Sequence, residues 1–264
     1  MKLLEGLQGA IGFLTTLPAG KAYRLEQFQQ RTYLSSVVGI ILGLILLVVA
    51  TVLGVLLPGQ PGIIAVVVIV SIYILTGIHH LDALSDFGDG IAAHGSAQKK
   101  VSAMKDVALG TGGAAFVIIY ILSLFVVIQA MGSMQGTGSG WFGLGMALLC
   151  AEVISKHSML TAARFGKPLY QGMGSMISEY TGQKQFIISL LISAVVCTAA
   201  MGIAGLGALF TGILASVGVV GVSNRHFGGI NGDCLGAAHE MGRLAALVTL
   251  FLFYAGGLVV WMPY

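Results

Sequence analysis

Apolar stretches fill residues 33–57, 62–78, 110–131, 139–160, 186–206, 207–223 and 244–262. A membrane-crossing helix needs about 20 mostly apolar residues, so each stretch predicts one span. The block 186–223 is nearly unbroken, and Gly205-Leu206-Gly207 divides it into a helical hairpin. The N-terminal run 3–17 is shorter, interrupted by Gly6, Gly9 and Gly12 and closed by Pro18. It predicts an eighth span, or a re-entrant or interfacial helix. The fold class is all-α: one integral membrane domain over 1–264, a polytopic bundle of about seven transmembrane helices plus the short or re-entrant N-terminal helix.

Composition agrees with the pattern. The chain is 56% hydrophobic and 9% charged, against about 25% charged in soluble domains. No basic leader with a small-residue cleavage site stands out, so the apolar segments are expected to remain in the mature chain. Its 39 glycines suit helices that approach closely. Cys150, Cys197 and Cys234 are odd in number and widely spaced, which predicts packing residues rather than a metal motif or disulfide framework.

Charge supplies the orientation. Apart from Lys2, every Lys and Arg lies in 18–31 (Lys21, Arg24, Arg31), 79–109 (Lys99, Lys100, Lys105), 156–185 (Lys156, Arg164, Lys167, Lys184) or 224–243 (Arg225, Arg243). The intervening connections 58–61, 132–138 and 205–207 are uncharged. The positive-inside rule places the basic connections in the cytoplasm and the C-terminus outside. Asp82, Asp86, Asp89, Asp106, Glu179, Asp233, Glu240 and all six histidines are expected in those same connections. A transporter would more often carry ionisable groups at mid-span. Glu152 alone has that character, and Lys156 four residues on predicts a helical ion pair near the span end.

The segment from His79 to Gly90 carries candidate chemistry. At 100° per residue Asp82, Asp86 and Asp89 share one stripe of a helix, with His79 on it. Like charges so spaced repel by about a few tenths of a kcal/mol per pair on a helix surface and by more beside a membrane. Oxygen ligands point to a hard divalent cation. Lys105, Asp106 and the Gly110-Thr111-Gly112-Gly113 turn follow. Acids, lysines and a glycine-rich helix start together suggest metal plus phosphate; close helix packing explains the glycines equally well. His79 and His80 either orient a carboxylate or act directly, and a phosphate contact is open to His94.

The block His80-Leu81-Asp82-Ala83-Leu84-Ser85-Asp86-Phe87-Gly88-Asp89-Gly90, followed by Met104-Lys105-Asp106 and Gly110 to Gly113, resembles the cobalamin synthase family. That family shows His-Leu-Asp-Gly-Leu-Ala-Asp-x-x-Asp-Gly and then Met-Arg-Asp-x-x-x-Gly-x-x-Gly. Phe13-Leu14-Thr15-Thr16-Leu17-Pro18 is similar to its Phe-Leu-Thr-Arg-Leu-Pro start. Gly228-Gly229-Ile230-Asn231-Gly232-Asp233-Cys234-Leu235-Gly236-Ala237 is similar to its Gly-Gly-x-Thr-Gly-Asp-x-Leu-Gly-Ala close. Lys105 stands where Arg is usual, His94 near a usual Ala-Arg, and Lys156 where Ser-Arg is common. Asp86-x-x-Asp89-Gly90-x-x-Ala93 is also similar to the signature of CDP-alcohol phosphatidyltransferases.

The resemblance implies an adenosylcobinamide-GDP ribazoletransferase. Adenosylcobinamide-GDP and α-ribazole, or its 5′-phosphate, would give adenosylcobalamin, or its 5′-phosphate, and GMP, with Mg²⁺ as cofactor. Asp82, Asp86, Asp89 and Asp106 are assigned to metal, and one of them or Asp233 to the base that takes the ribazole proton. Lys105 and Arg164 are assigned to phosphate. His80, His94, Gly110 and Asn231 complete the substrate-binding set, and Asp233 has ribose binding, or an Asx turn, as its other reading. The bilayer is a partner, nucleic acid is not, and a homo-oligomer is compatible. A lipid-directed CDP-alcohol phosphotransferase and a divalent-cation or acid-coupled transporter are the alternative functions.

Overall fold

The protein's structure, a computed structural model, describes residues 2–20, 25–134 and 140–257. Lys21, Arg24, most of the expected 132–138 connection and the end of the expected 244–262 span lie outside the described residues. The elements are α1 (Lys2–Leu14), α2 (Leu25–Gln29), α3 (Leu34–Leu56), α4 (Pro61–Thr76), α5 (His79–Ala92) and α6 (Ala97–Met104). After them come α7 (Thr111–Ser133), α8 (Gly140–Phe165), α9 (Met173–Tyr180), α10 (Gln183–Phe227) and α11 (Gly232–Ala255). The only β contact among the described residues is an isolated bridge between Pro168 and Ile230.

Helix α8 is the axis. It is buried from Ala147 to Ala163 and packs against α3, α10 and α11. The α3 contact rests on Gly39 and Gly43, a small-residue pair four apart. A Cβ on Gly39 would lie 2.8 Å from Val153 Cα, and one on Gly43 2.6 Å from Leu149 Cα. The backbones therefore touch, and only glycine fits. Val38, Leu42, Leu46 and Ala50 face inward, while Leu44, Val48, Val52 and Val55 are exposed. An apolar exterior of this kind is what a bilayer covers, and the helices form a membrane-embedded bundle.

Helices α3, α7, α10 and α11 are each long and apolar enough to cross a membrane, and α4 qualifies together with α5, the pair bent by 96°. α10 is not straight. Ser189 Oγ meets His157 Nδ1 at 2.8 Å, and Ser216 Oγ donates to Ser158 O at 2.6 Å. In a straight helix Ser189 and Ser216 would stand about 40 Å apart, yet both reach neighbouring residues of α8. The chain folds back at Gly202 (φ 57°, ψ −135°), a backbone that favours glycine. The expected hairpin is present, but its turn falls at Gly202 instead of Gly205–Gly207. Gly205 lies where the arms abut, facing the Cys197 carbonyl.

At 13 residues α1 is about 20 Å long, too short for a hydrocarbon core of about 30 Å. The expected short N-terminal helix is present as α1, below the length of a span. The loop that follows caps α4: Thr16 N donates to Leu75 O at 2.9 Å and Thr16 Oγ1 to Ile74 O at 2.5 Å. Two carbonyls that the helix end leaves without partners are thereby satisfied. Gly77, at φ 67°, turns the chain from α4 into α5, whose axis departs from that of α4 by 96°.

Two expected connections are corrected. Residues 156–165 continue α8, and 232–243 are the first half of α11, which leaves only 228–231 between α10 and α11. Lys156, His157, His239, Glu240 and Arg243 are thus buried helix residues, not cytoplasmic loop residues. All but His157 are paired with one another, so polar side chains extend the helices inward where a hydropathy pattern ends them.

Candidate active site

The acidic stripe is real. α5 buries Ala83, Leu84, Phe87 and Gly88 and turns Asp82, Asp86 and Asp89 the other way. Phe87 is held edge-on between Phe116 of α7 and Phe227 of α10. Glycines set the approach on both sides. A Cβ on Gly112 would lie 2.7 Å from Gly88 O, and one on Gly236 would strike the Ala83 methyl. α5 is thereby laid across the N-terminal ends of α7 and α11.

This crossing brings Asp233, in the first turn of α11, to the stripe. Asp86 is half-buried, and its carboxyl is pushed up to about 6, first by burial and then by the charges of Asp233, Asp82 and Asp89. Four anions thus converge from two helices far apart in sequence. Asn231 caps α11, its Oδ1 accepting from Cys234 N at 3.0 Å, while its Nδ2 donates to Asp233 Oδ2 at 2.7 Å and to Tyr170 Oη at 3.1 Å. The Lys105 ammonium lies 3.9 Å from the Tyr170 ring centroid, near enough to act electrostatically on Asp233. Backbone pairing of Leu169 and Lys167 with Ile230, each at 2.8 Å, fixes this corner.

Other expected site residues are placed differently. Asp89 accepts from Gly110 N at 2.9 Å and Gly113 N at 2.8 Å. The anion at the glycine turn is therefore the chain's own carboxylate, and the Gly110 N–H expected to meet substrate is engaged. Asn231, expected on substrate, is buried with both side-chain atoms bonded to the protein. Asp106 is exposed and accepts from Ala108 N at 3.0 Å. His94 is exposed beyond α5, and Arg164 is exposed in the last turn of α8, 5.6 Å from the Phe165 ring centroid. These three are not among the charges acting on Asp86.

A second polar assembly lies deeper, and sequence reasoning found only its Glu152–Lys156 pair, at 3.8 Å. Arg243 Nε donates to Glu152 Oε1 at 2.7 Å, and Arg243 Nη1 pairs with Glu240. Tyr73 Oη donates to Glu240 Oε2 at 3.3 Å, and Tyr120 also bonds to that oxygen. Lys156 Nζ meets His239 Nε2 at 2.6 Å, and His239 Nδ1 meets Glu240 Oε1 at 3.1 Å. A lysine ammonium only donates, so Nε2 accepts and Nδ1 carries the proton to Glu240: His239 is neutral. His80 stacks on it with ring centroids 4.0 Å apart. The missed signal was Glu240 and Arg243 at helical spacing three, matching in charge the pair at 152 and 156.

Among the described residues His80, His239 and Glu240 alone bring their ligand atoms all within 4.8 Å of one another. They do not suit a metal. Lys156 occupies one nitrogen of His239, Glu240 already serves Arg243, Tyr120 and His239, and two cations border the group. The aspartates are farther apart but offer only oxygen, which suits a hard cation that keeps waters and takes up substrate phosphates.

A family model described as cobalamin-5-phosphate synthase matches residues 6–251. The protein named adenosylcobinamide-GDP ribazoletransferase from Methanococcoides burtonii is 38% identical over 250 residues, covering 94% of this chain and 92% of its own length. The protein of that name from Methanosarcina barkeri is 38% identical over 261 residues, covering 94% and 91%. The one from Methanocella arvoryzae is 39% identical over 283 aligned positions, covering 99% and 98%. No solved structure is significantly similar to the chain.

Proposed function

The chain belongs to the cobalamin-5-phosphate synthase family and is a transferase, and from that premise we propose how its acidic cluster works. It joins adenosylcobinamide-GDP to α-ribazole, or to its 5′-phosphate, and releases GMP. The ribazole hydroxyl attacks the diphosphate phosphorus in line. One phosphorus–oxygen bond forms, the bond to GMP breaks, and the hydroxyl proton passes to a carboxylate. Asp233 is the base, because it reaches the stripe from a separate helix and is held by Asn231. Lys105 meets the phosphate charge.

Asp82 and Asp86 hold Mg²⁺, which when bound neutralises phosphate oxygens. The supporting observation is the crowding of anions at Asp86, an arrangement that a cation relieves. Asp89 contributes by locking α5 to the start of α7. Preorganised charge and position supply most of the acceleration in such transfers. The site faces the cytoplasm from the cell membrane, on the side of the basic connections.

Nucleotide release tests this. Purified protein with Mg²⁺, adenosylcobinamide-GDP and α-ribazole should release GMP together with the joined product. CMP from a CDP-alcohol, or no nucleotide from either donor, would reject the reading in favour of the lipid enzyme or the transporter.

A further inference from the structure

Two cavities meet at Asp233. The larger, about 390 Å³, lies between α1, α5, α8, α9 and α11, within the range of small-ligand pockets. Phe13, Met159, Ile177 and Leu235 give it apolar walls, and His79, His80 and Asp233 are its ionisable groups. Among the described residues no Lys or Arg lines it. The smaller, about 190 Å³, is lined by polar groups of Tyr170, Ser175 and Asn231, with Lys105 over the Tyr170 ring. A phosphate-bearing group fits the second side and is disfavoured in the first.

His80 makes the larger cavity more than a hydrophobic slot. Its ring is held in place by the stack on His239, and its Nδ1 is buried without a hydrogen-bond partner. That nitrogen is closed off from the cavity, so what His80 offers a ligand is a fixed imidazole wall.

We propose that this cavity is the base subsite of the acceptor nucleoside: it takes the uncharged heterocycle of α-ribazole against its apolar walls and leaves the sugar hydroxyl at Asp233. The inference rests on the transferase reading given above. Distance along the substrates selects the acceptor over the guanine of the donor. The acceptor base is one sugar away from its reacting hydroxyl. The guanine is a sugar and a phosphate away from the reacting phosphorus, and that phosphate needs the Lys105 side.

Ile177 lines the larger cavity and not the smaller, so Ile177→Phe narrows one without touching the other. One added group in an apolar pocket changes recognition by about tenfold or more. KM for α-ribazole should rise by that factor, with kcat and KM for adenosylcobinamide-GDP within about twofold, as expected for lost binding alone. Free benzimidazole should inhibit the wild type competitively against α-ribazole and not against the donor. A rise in donor KM, an equal rise in both, no change, or competition with the donor overturns the proposal. If Ile177→Phe does not elute as a monodisperse species in detergent, Leu235→Ala replaces it. That variant should accept a bulkier base at the expense of α-ribazole, and an unchanged base range overturns the proposal as well. Absence of GMP release by the wild type instead sinks the underlying reading, before any variant is made.

Discussion

Replacing Arg243 by methionine should cost the folded protein about 3–5 kcal/mol, the usual penalty for stranding a buried charge. Arg243 is fully buried and holds two carboxylates, Glu152 at 2.7 Å and Glu240. Methionine fills much of the volume, so the loss is electrostatic rather than a cavity. Glu152 keeps only Lys156 at 3.8 Å, and Glu240 keeps the two tyrosines and neutral His239. Against a total stability of about 5–15 kcal/mol, the loss is large. Removing the stranded charges as well, in Arg243→Met with Glu152→Gln and Glu240→Gln, should recover most of it, since buried ion pairs are often replaceable at little cost. Thermal unfolding of the detergent-solubilised proteins gives both values. A single variant that loses under about 1 kcal/mol, or a triple variant no more stable than the single, would refute the view that these charges depend on one another.

Asp86→Asn should lower kcat by about 10²-fold or more, as expected where a charge-stabilising group is lost, and should weaken the Mg²⁺ response while the protein stays folded. Near-normal GMP release at limiting Mg²⁺ would remove Asp86 from the metal. Asp89→Ala should lose about 0.5–2 kcal/mol of stability, the scale of a helix-cap deletion, because Gly110 N and Gly113 N lose their acceptor. Asp89→Asn, which keeps one acceptor oxygen, should recover part of this, and equal melting temperatures for all three proteins would contradict the capping role. A cysteine introduced by Ser96→Cys, with Cys150, Cys197 and Cys234 replaced, should escape impermeant thiol reagents in intact cells and react after permeabilisation; labelling of intact cells would invert the topology.

Much of this was legible in the chain because the signals are local. The stripe Asp82–Asp86–Asp89 follows from helical spacing alone, and α5 has it. The glycine turn at 110–113 was open between anion binding and packing; the structure uses it for both, with Asp89 as the anion. What escaped was long-range pairing. Glu152 meets Arg243 across 91 residues, and Tyr73 meets Glu240 across 167. Local spacing, as between Glu240 and Arg243, marks a charged pair on one helix but does not name the helix opposite. A hydropathy pattern also treats each polar side chain as wanting water. It therefore ended one span at 160 and began another at 244, although α8 runs to Phe165 and α11 starts at Gly232.

The buried network and the acidic cluster are connected through α11. Asp233 stands in its first turn, where the helix dipole favours an anion, and His239, Glu240 and Arg243 follow two to three turns on. In lipid, apolar side chains give little drive for one helix to settle against another in a fixed register. Charges do, because a shift of one turn would strand them. Arg243 ties α11 to α8 through Glu152, Tyr120 ties it to α7, and Tyr73 ties it to α4. α5 is fixed separately, by Asp89 on the amides of α7 and by the Gly236–Ala83 contact on α11. On the reading proposed above, the carboxylates that meet the phosphorus sit on two helices, each locked by polar bonds to α7. A transfer that depends on position within about 0.5 Å would draw that precision from the buried charges that fix α11 and from Asp89 on α5.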